Sequence, residues 1–109
     1  MRLGLHLLLD GKVSKVLTSK ELKAVLPELA RFIGMTPMGK PITRDCSVGP
    51  SAIQFIIESH IAVNYIHNYI AADVFSCKDF DTGATAEKLI EVFCISEVTK
   101  RLILERGFV

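Results

Sequence analysis

The sequence predicts an α+β fold, a two-layer sandwich with a mainly antiparallel sheet, two helices on one face, and the sheet packed in a homodimer. Three observations predict it. First, residues 2–10 and much of 51–77 alternate with period two, the mark of strands. Second, two segments, 19–33 and 84–94, repeat apolar residues at helical spacing. The order is strand, helix, several strands, helix, strand; short turns make consecutive strands antiparallel and leave both helices one face to cover. Third, 50% of the 109 residues are hydrophobic, and mean hydropathy is +0.37. That is apolar for so small a domain, and a second buried face between two copies accounts for the excess.

The elements follow in order. Leu3, Leu5, Leu7 and Leu9 share one face of the first strand; Arg2, Gly4, His6, Leu8 and Asp10 share the other. "DGKVS" reads as a turn or loop, with Asp10 at its start. Thr18 and Glu21 make a capping box, because each side chain reaches a free backbone N–H at a helix start. Leu22, Val25, Leu26, Leu29, Phe32 and Ile33 then line a helix over 19–33, with Pro27 expected to kink or restart it and Gly34 to end it. Residues 41–47 suit an edge strand, where proline's missing N–H is tolerated. Strands are expected at 51–58, 60–66 and 69–77, with "HNY" as a turn. Ser51, Ile53, Phe55 and Ile57 face one way, as do Tyr69, Ala71, Asp73, Phe75 and Cys77 in the later strand. "KDFDTG" is a loop, Ala86, Leu89, Ile90, Phe93 and Cys94 mark the second helix, and 97–105 is the last strand, with Leu102 and Leu104 on one side.

The whole chain, 1–109, reads as one domain without repeat, linker or low-complexity segment. A net charge of +1 with no like-charge block argues against a nucleic-acid surface. No apolar run approaches the roughly 18 residues that span a bilayer. "LGLHLLL" is too short for a secretory signal. Cys46, Cys77 and Cys94 are odd in number and lack C-x-x-C spacing, so the expectation is no metal, reduced thiols and a cytoplasmic protein.

One stretch carries chemistry. In "FIIESHIAVN", residues 55–64, an apolar run breaks at Glu58-Ser59-His60 and a second apolar run follows. Taken alone, Ser59 reads as a polar hairpin corner, Cys77 as a core thiol, and His6 as a structural histidine. Phe32, Phe55 and Phe75 read as core residues, Cys46 and Cys94 as structural. Together with "GLHLLLD" (4–10), "GPSA" (49–52) and "AADVFSC" (71–77), however, "ESH" resembles the small bacterial and archaeal S-adenosylmethionine decarboxylase proenzymes. The resemblance covers most of the chain. It implies self-cleavage between Glu58 and Ser59, with Ser59 becoming a pyruvoyl cofactor that condenses with the substrate amine and takes up electrons as carbon dioxide leaves. It also implies a homodimer and a place in spermidine synthesis.

Carried over by position, Ser51 matches the serine that assists processing, Glu58 the residue before the cut, and Cys77 the proton donor. Two positions depart from the family. The processing base, a histidine five residues after the cleavage serine, is here Asn64, which cannot take up a proton near neutral pH. The ribose-binding glutamate is here Asn68, in a region shortened by two residues. His60 and, less directly, His67 are the imidazoles left to serve as base, although His60 points opposite to Ser59 in a regular strand. A straight strand over 51–58 would place Ser51 and Ser59 about 26 Å apart at roughly 3.3 Å per residue, so either a second protomer supplies Ser51 or the strand folds back; a twofold dimer with each site built from both chains solves this. Two other readings stay open. One is the same chemistry on a smaller amino acid such as ornithine or arginine. The other is an uncleaved homologue that acts as a binding or regulatory partner.

Overall fold

The structure is a computed structural model and describes residues 1–108. Its order is β1 (Arg2–Val13), α1 (Ser19–Phe32), β2 (Ile42–Cys46), β3 (Gly49–Ile56), β4 (Ser59–Ile66), β5 (Tyr69–Ser76), α2 (Thr82–Val92) and β6 (Ile95–Gly107). The strands form one six-stranded sheet, ordered β2-β3-β4-β5-β1-β6, and every pairing is antiparallel. β2 and β6 are its edges. The α+β class and the sequence of elements are as the periodicity predicts.

Both helices cover one sheet face. α1 starts at the expected capping box: Thr18 Oγ1 accepts from the Glu21 N–H at 3.1 Å, and the Glu21 carboxylate accepts from the Thr18 N–H at 3.1 Å. These bonds satisfy donors that the helix itself leaves free. The same Thr18 N–H bond, with Lys15 at 3.1 Å, holds the Glu21 carboxyl below the usual range. α1 runs as one helix through Pro27. α2 begins two residues earlier than expected because Asp81 caps it, accepting from the Ala84 N–H at 2.9 Å. Leu22, Leu26 and Leu29 of α1 and Ala86 and Leu89 of α2, with Phe93 just beyond it, bury against Leu7, Leu9, Ile61, Val63, Ile70 and Val74. Each of the leucine, isoleucine, valine and phenylalanine side chains contributes about 1.5–3 kcal/mol by leaving water.

Several expectations change. Residues 10–13 are strand, not turn: Asp10 pairs with both Ala71 and Lys100, and β1 continues to Val13. Gly11 is there for close packing, since a Cβ would meet the Glu97 carbonyl oxygen at 2.6 Å. β6 is longer than expected, matching the extended β1 along its length. Phe32 is 53% exposed, beneath the Lys88 ammonium at 4.8 Å, and Phe55 and Phe75 lie on the helix-free face. Helical spacing and strand alternation placed these rings correctly in register but not in the core. Cys46 and Cys77 are exposed, so neither is a core thiol.

The helix-free face is broad and apolar. The pairing register puts Ile53, Phe55, Ala62, Phe75, Leu8, Leu102 and Leu104 on it. Phe55 is 46%, Leu102 45% and Leu104 41% exposed. Among the described residues no helix is long and apolar enough to cross a membrane.

Candidate active site

β3 and β4 form a hairpin whose turn is Ile57-Glu58, with Ile56 paired to Ser59. The expected strand over 51–58 therefore stops at Ile56. The turn folds Ser59 back, so Ser51 and Ser59 are separated by about five residues of hairpin, ~17 Å, rather than eight.

The hairpin tip is clamped from two sides. On one side, the Ile57 N–H donates to the Thr36 carbonyl at 3.0 Å, and the Thr36 N–H donates to Glu58 Oε1 at 3.1 Å. The Met38 N–H donates to the Phe55 carbonyl at 2.8 Å, and Gln54, buried beneath, donates from Nε2 to the Gly39 carbonyl at 3.1 Å. On the other side, the Cys77 N–H donates to the Glu58 carbonyl at 3.0 Å. That carbonyl belongs to the 58–59 peptide. Its oxygen is thus already paired with a fixed donor, the arrangement that stabilises an oxyanion when a nucleophile adds to the carbon.

Ser59 has φ +154°, a region that side-chain-bearing residues rarely occupy; holding it there costs about 1–3 kcal/mol. This backbone also re-aims the side chain. Ser59 Oγ lies 3.1 Å from His60 Nδ1. The strand rule, which sends neighbours to opposite faces, fails at this residue because Ser59 is not in a regular strand conformation. The expectation that His60 points away from Ser59 is therefore corrected.

The site residues fall into two groups. Glu58, Ser59, His60 and Cys77 gather at the hairpin tip. Ser51 and Asn64 are cross-strand partners, and they line a shallow depression of about 240 Å³ with Arg44, Ile42 and Ile53. They lie about five strand residues from Ser59, ~17 Å, too far for contact within one protomer. Asn68 sits in the β4–β5 turn, at the end of β4 opposite Ser59, where its carbonyl accepts from the Val13 N–H at 2.8 Å. His67 shares that turn. Among the described residues no three His, Cys, Asp or Glu side chains are arranged to hold a metal ion. The sequence singled out neither Thr36, which clamps Glu58, nor Asp73, which faces His60, and it read His6, on the same carboxylate, as structural. Alternation did put Asp73 and Phe75 on one face and His6 with Leu8. Only the pairing register reveals that these are the same face.

A two-layer α+β chain with one antiparallel sheet thus gathers Glu58, Ser59, His60 and Cys77 at a hairpin tip, with a serine directly after a donor-held carbonyl. Residues 5–107 match the sequence model of the S-adenosylmethionine decarboxylase family, and the chain belongs to that family of carboxy-lyases. The crystal structure of the adenosylmethionine decarboxylase from Aquifex aeolicus VF5 has the same fold, with a TM-score of 0.80 over 99% of this chain and 93% of that one, at 21% identity. No curated protein sequence matches the chain.

Proposed function

We propose that the chain is the proenzyme of a pyruvoyl-dependent S-adenosylmethionine decarboxylase that cleaves itself between Glu58 and Ser59 and serves spermidine synthesis in the cytoplasm. The observation that carries this is the Glu58 carbonyl, held by the Cys77 N–H at 3.0 Å beside the strained Ser59. The residues present fit the prosthetic group, because its one precursor, a serine directly after a donor-held carbonyl, is in place.

The processing chemistry follows from these atoms. Ser59 Oγ adds to the Glu58 carbonyl carbon through a five-membered ring, and the Cys77 N–H stabilises the oxyanion. The C–N bond breaks and an ester replaces the amide. Loss of the Ser59 Cα proton then expels the chain ending at Glu58 as a carboxylate. Water hydrolyses the remaining enamine, releases ammonia and leaves the pyruvoyl group at residue 59. When formed, that group supplies an electron-poor carbonyl that accepts the electrons freed as carbon dioxide leaves. In this reading the thiol of Cys77, an exposed residue whose N–H holds the Glu58 carbonyl, supplies the proton that the product carbon takes up.

Ser51 and Asn64 enter through a partner protomer. Two copies packed through the apolar sheet face bury Phe55, Leu102 and Leu104, and a twofold axis brings one copy's Ser51 toward the other's Ser59. Sedimentation velocity tests the pairing: a dimer is expected, and a monomer at micromolar concentration contradicts it. Asn68 favours a second reading, a smaller amino acid substrate, because it lacks the carboxylate that would bind ribose hydroxyls. Carbon dioxide release measured across S-adenosylmethionine, ornithine and arginine separates the two.

A further inference from the structure

Ser59 ends a line of polar side chains that crosses three strands. Its Oγ lies 3.1 Å from His60 Nδ1. On the far side of that ring, His60 Nε2 lies 3.5 Å from Asp73 Oδ1. The same carboxylate oxygen lies 3.1 Å from His6 Nε2. The register explains the meeting. His60 on β4 and His6 on β1 both pair with Phe75 on β5, so the two imidazoles flank one ring, at 6.0 and 5.5 Å between centroids. Asp73, two residues along β5 on the same face, reaches both. The Arg106 guanidinium covers Phe75 at 4.6 Å.

We propose that His60 is the base that takes the Ser59 hydroxyl proton in self-cleavage, with Asp73 and His6 as its positioning residues. The inference rests on the processing reading above. When Ser59 Oγ–H donates to Nδ1, His60 must carry its own proton on Nε2, and that N–H faces Asp73 Oδ1. The carboxylate thereby selects the tautomer with a bare Nδ1 and steadies the imidazolium that forms on proton transfer. His6 donates to the same oxygen and holds it between the rings.

The step balances. The proton of Ser59 Oγ moves to His60 Nδ1 as the Oγ–C bond to Glu58 forms. As the C–N bond breaks, Nδ1 returns that proton to the nitrogen of residue 59. Asn64 takes no part in this step. In this chain the histidine next to the serine opens the reaction, and the position five residues on bears only on the later loss of the Cα proton.

The test measures first-order cleavage of freshly translated protein by gel. His60→Ala and His60→Gln are expected to slow cleavage about 100-fold or more, and Asp73→Asn at least about tenfold. Lys23→Ala, on the exposed side of α1, is expected to match the wild type. A second readout does not need cleavage: ¹⁵N NMR of the uncleavable Ser59→Ala protein. His60 is expected protonated at Nε2 and bare at Nδ1, with Asp73→Asn mixing the tautomers. Wild-type cleavage rates in both His60 variants, or a His60 protonated at Nδ1, overturn the inference and leave the processing reading standing. A wild-type chain that never cleaves overturns both.

Discussion

The ~17 Å that separates Ser51 from Ser59 within one protomer makes a sharp prediction about trans assistance. Ser51 pairs with Asn64, and Ser59 lies five residues further along β4; at about 3.4 Å per residue no side chain bridges that gap. Ser51 can help Ser59 only across a twofold interface. Ser51→Ala removes the assisting hydroxyl, and Ser59→Ala removes the nucleophile, so neither homodimer has a whole site. Mixed at equal concentration with subunit exchange, about half of the Ser51→Ala chains find a partner that carries Ser51. Those chains face an intact serine pair and are expected to cleave at the wild-type rate, while Ser59→Ala chains stay whole. Pulse-labelled Ser51→Ala chains followed by gel measure this directly. If mixing leaves them uncleaved while the mixed dimer forms, Ser51 does not act from the partner, and the two-chain site is wrong.

Other predictions follow from single residues. Asn64→His returns an imidazole to the position opposite Ser51; ester loss is expected to accelerate about tenfold or more, read as less hydroxylamine-cleavable intermediate. Cys77→Ser keeps the backbone N–H, so cleavage persists, while carbon dioxide release falls about 100-fold. Burial pushes the Tyr65 hydroxyl up to about 12. Its folded value exceeds the unfolded one, so that contribution to stability is whole below about pH 10 and is lost as pH rises from there toward 12. Urea melts at pH 9 and pH 11 are expected to show the fall, and Tyr65→Phe to flatten it. Thr18→Ala breaks the capping box and is expected to cost about 1 kcal/mol in the same assay.

The architecture was legible because its signals are local. Period-two leucines name β1, and Thr18 with Glu21 marks the start of α1. Asp10 was misread because a turn-forming pair, Asp10-Gly11, also suits a strand where Gly11 admits a neighbouring backbone. Phe32, Phe55 and Phe75 were misread because composition tells that a ring is apolar, not which sheet face the helices leave open. The site was half legible. Glu58, Ser59 and Cys77 stood out through motifs, and the structure gathers them at one hairpin tip. The Ser59–His60 contact was hidden by a single unusual φ, and the meeting of His6, Asp73 and His60 depends on strand register, which no short motif encodes.

The most direct measurement is the intact mass of the purified protein. Two fragments are expected, one ending at Glu58 and one opening at residue 59 with a blocked, pyruvoyl-bearing terminus that borohydride reduces. A single uncut mass after prolonged incubation, with no pieces released by hydroxylamine, contradicts it.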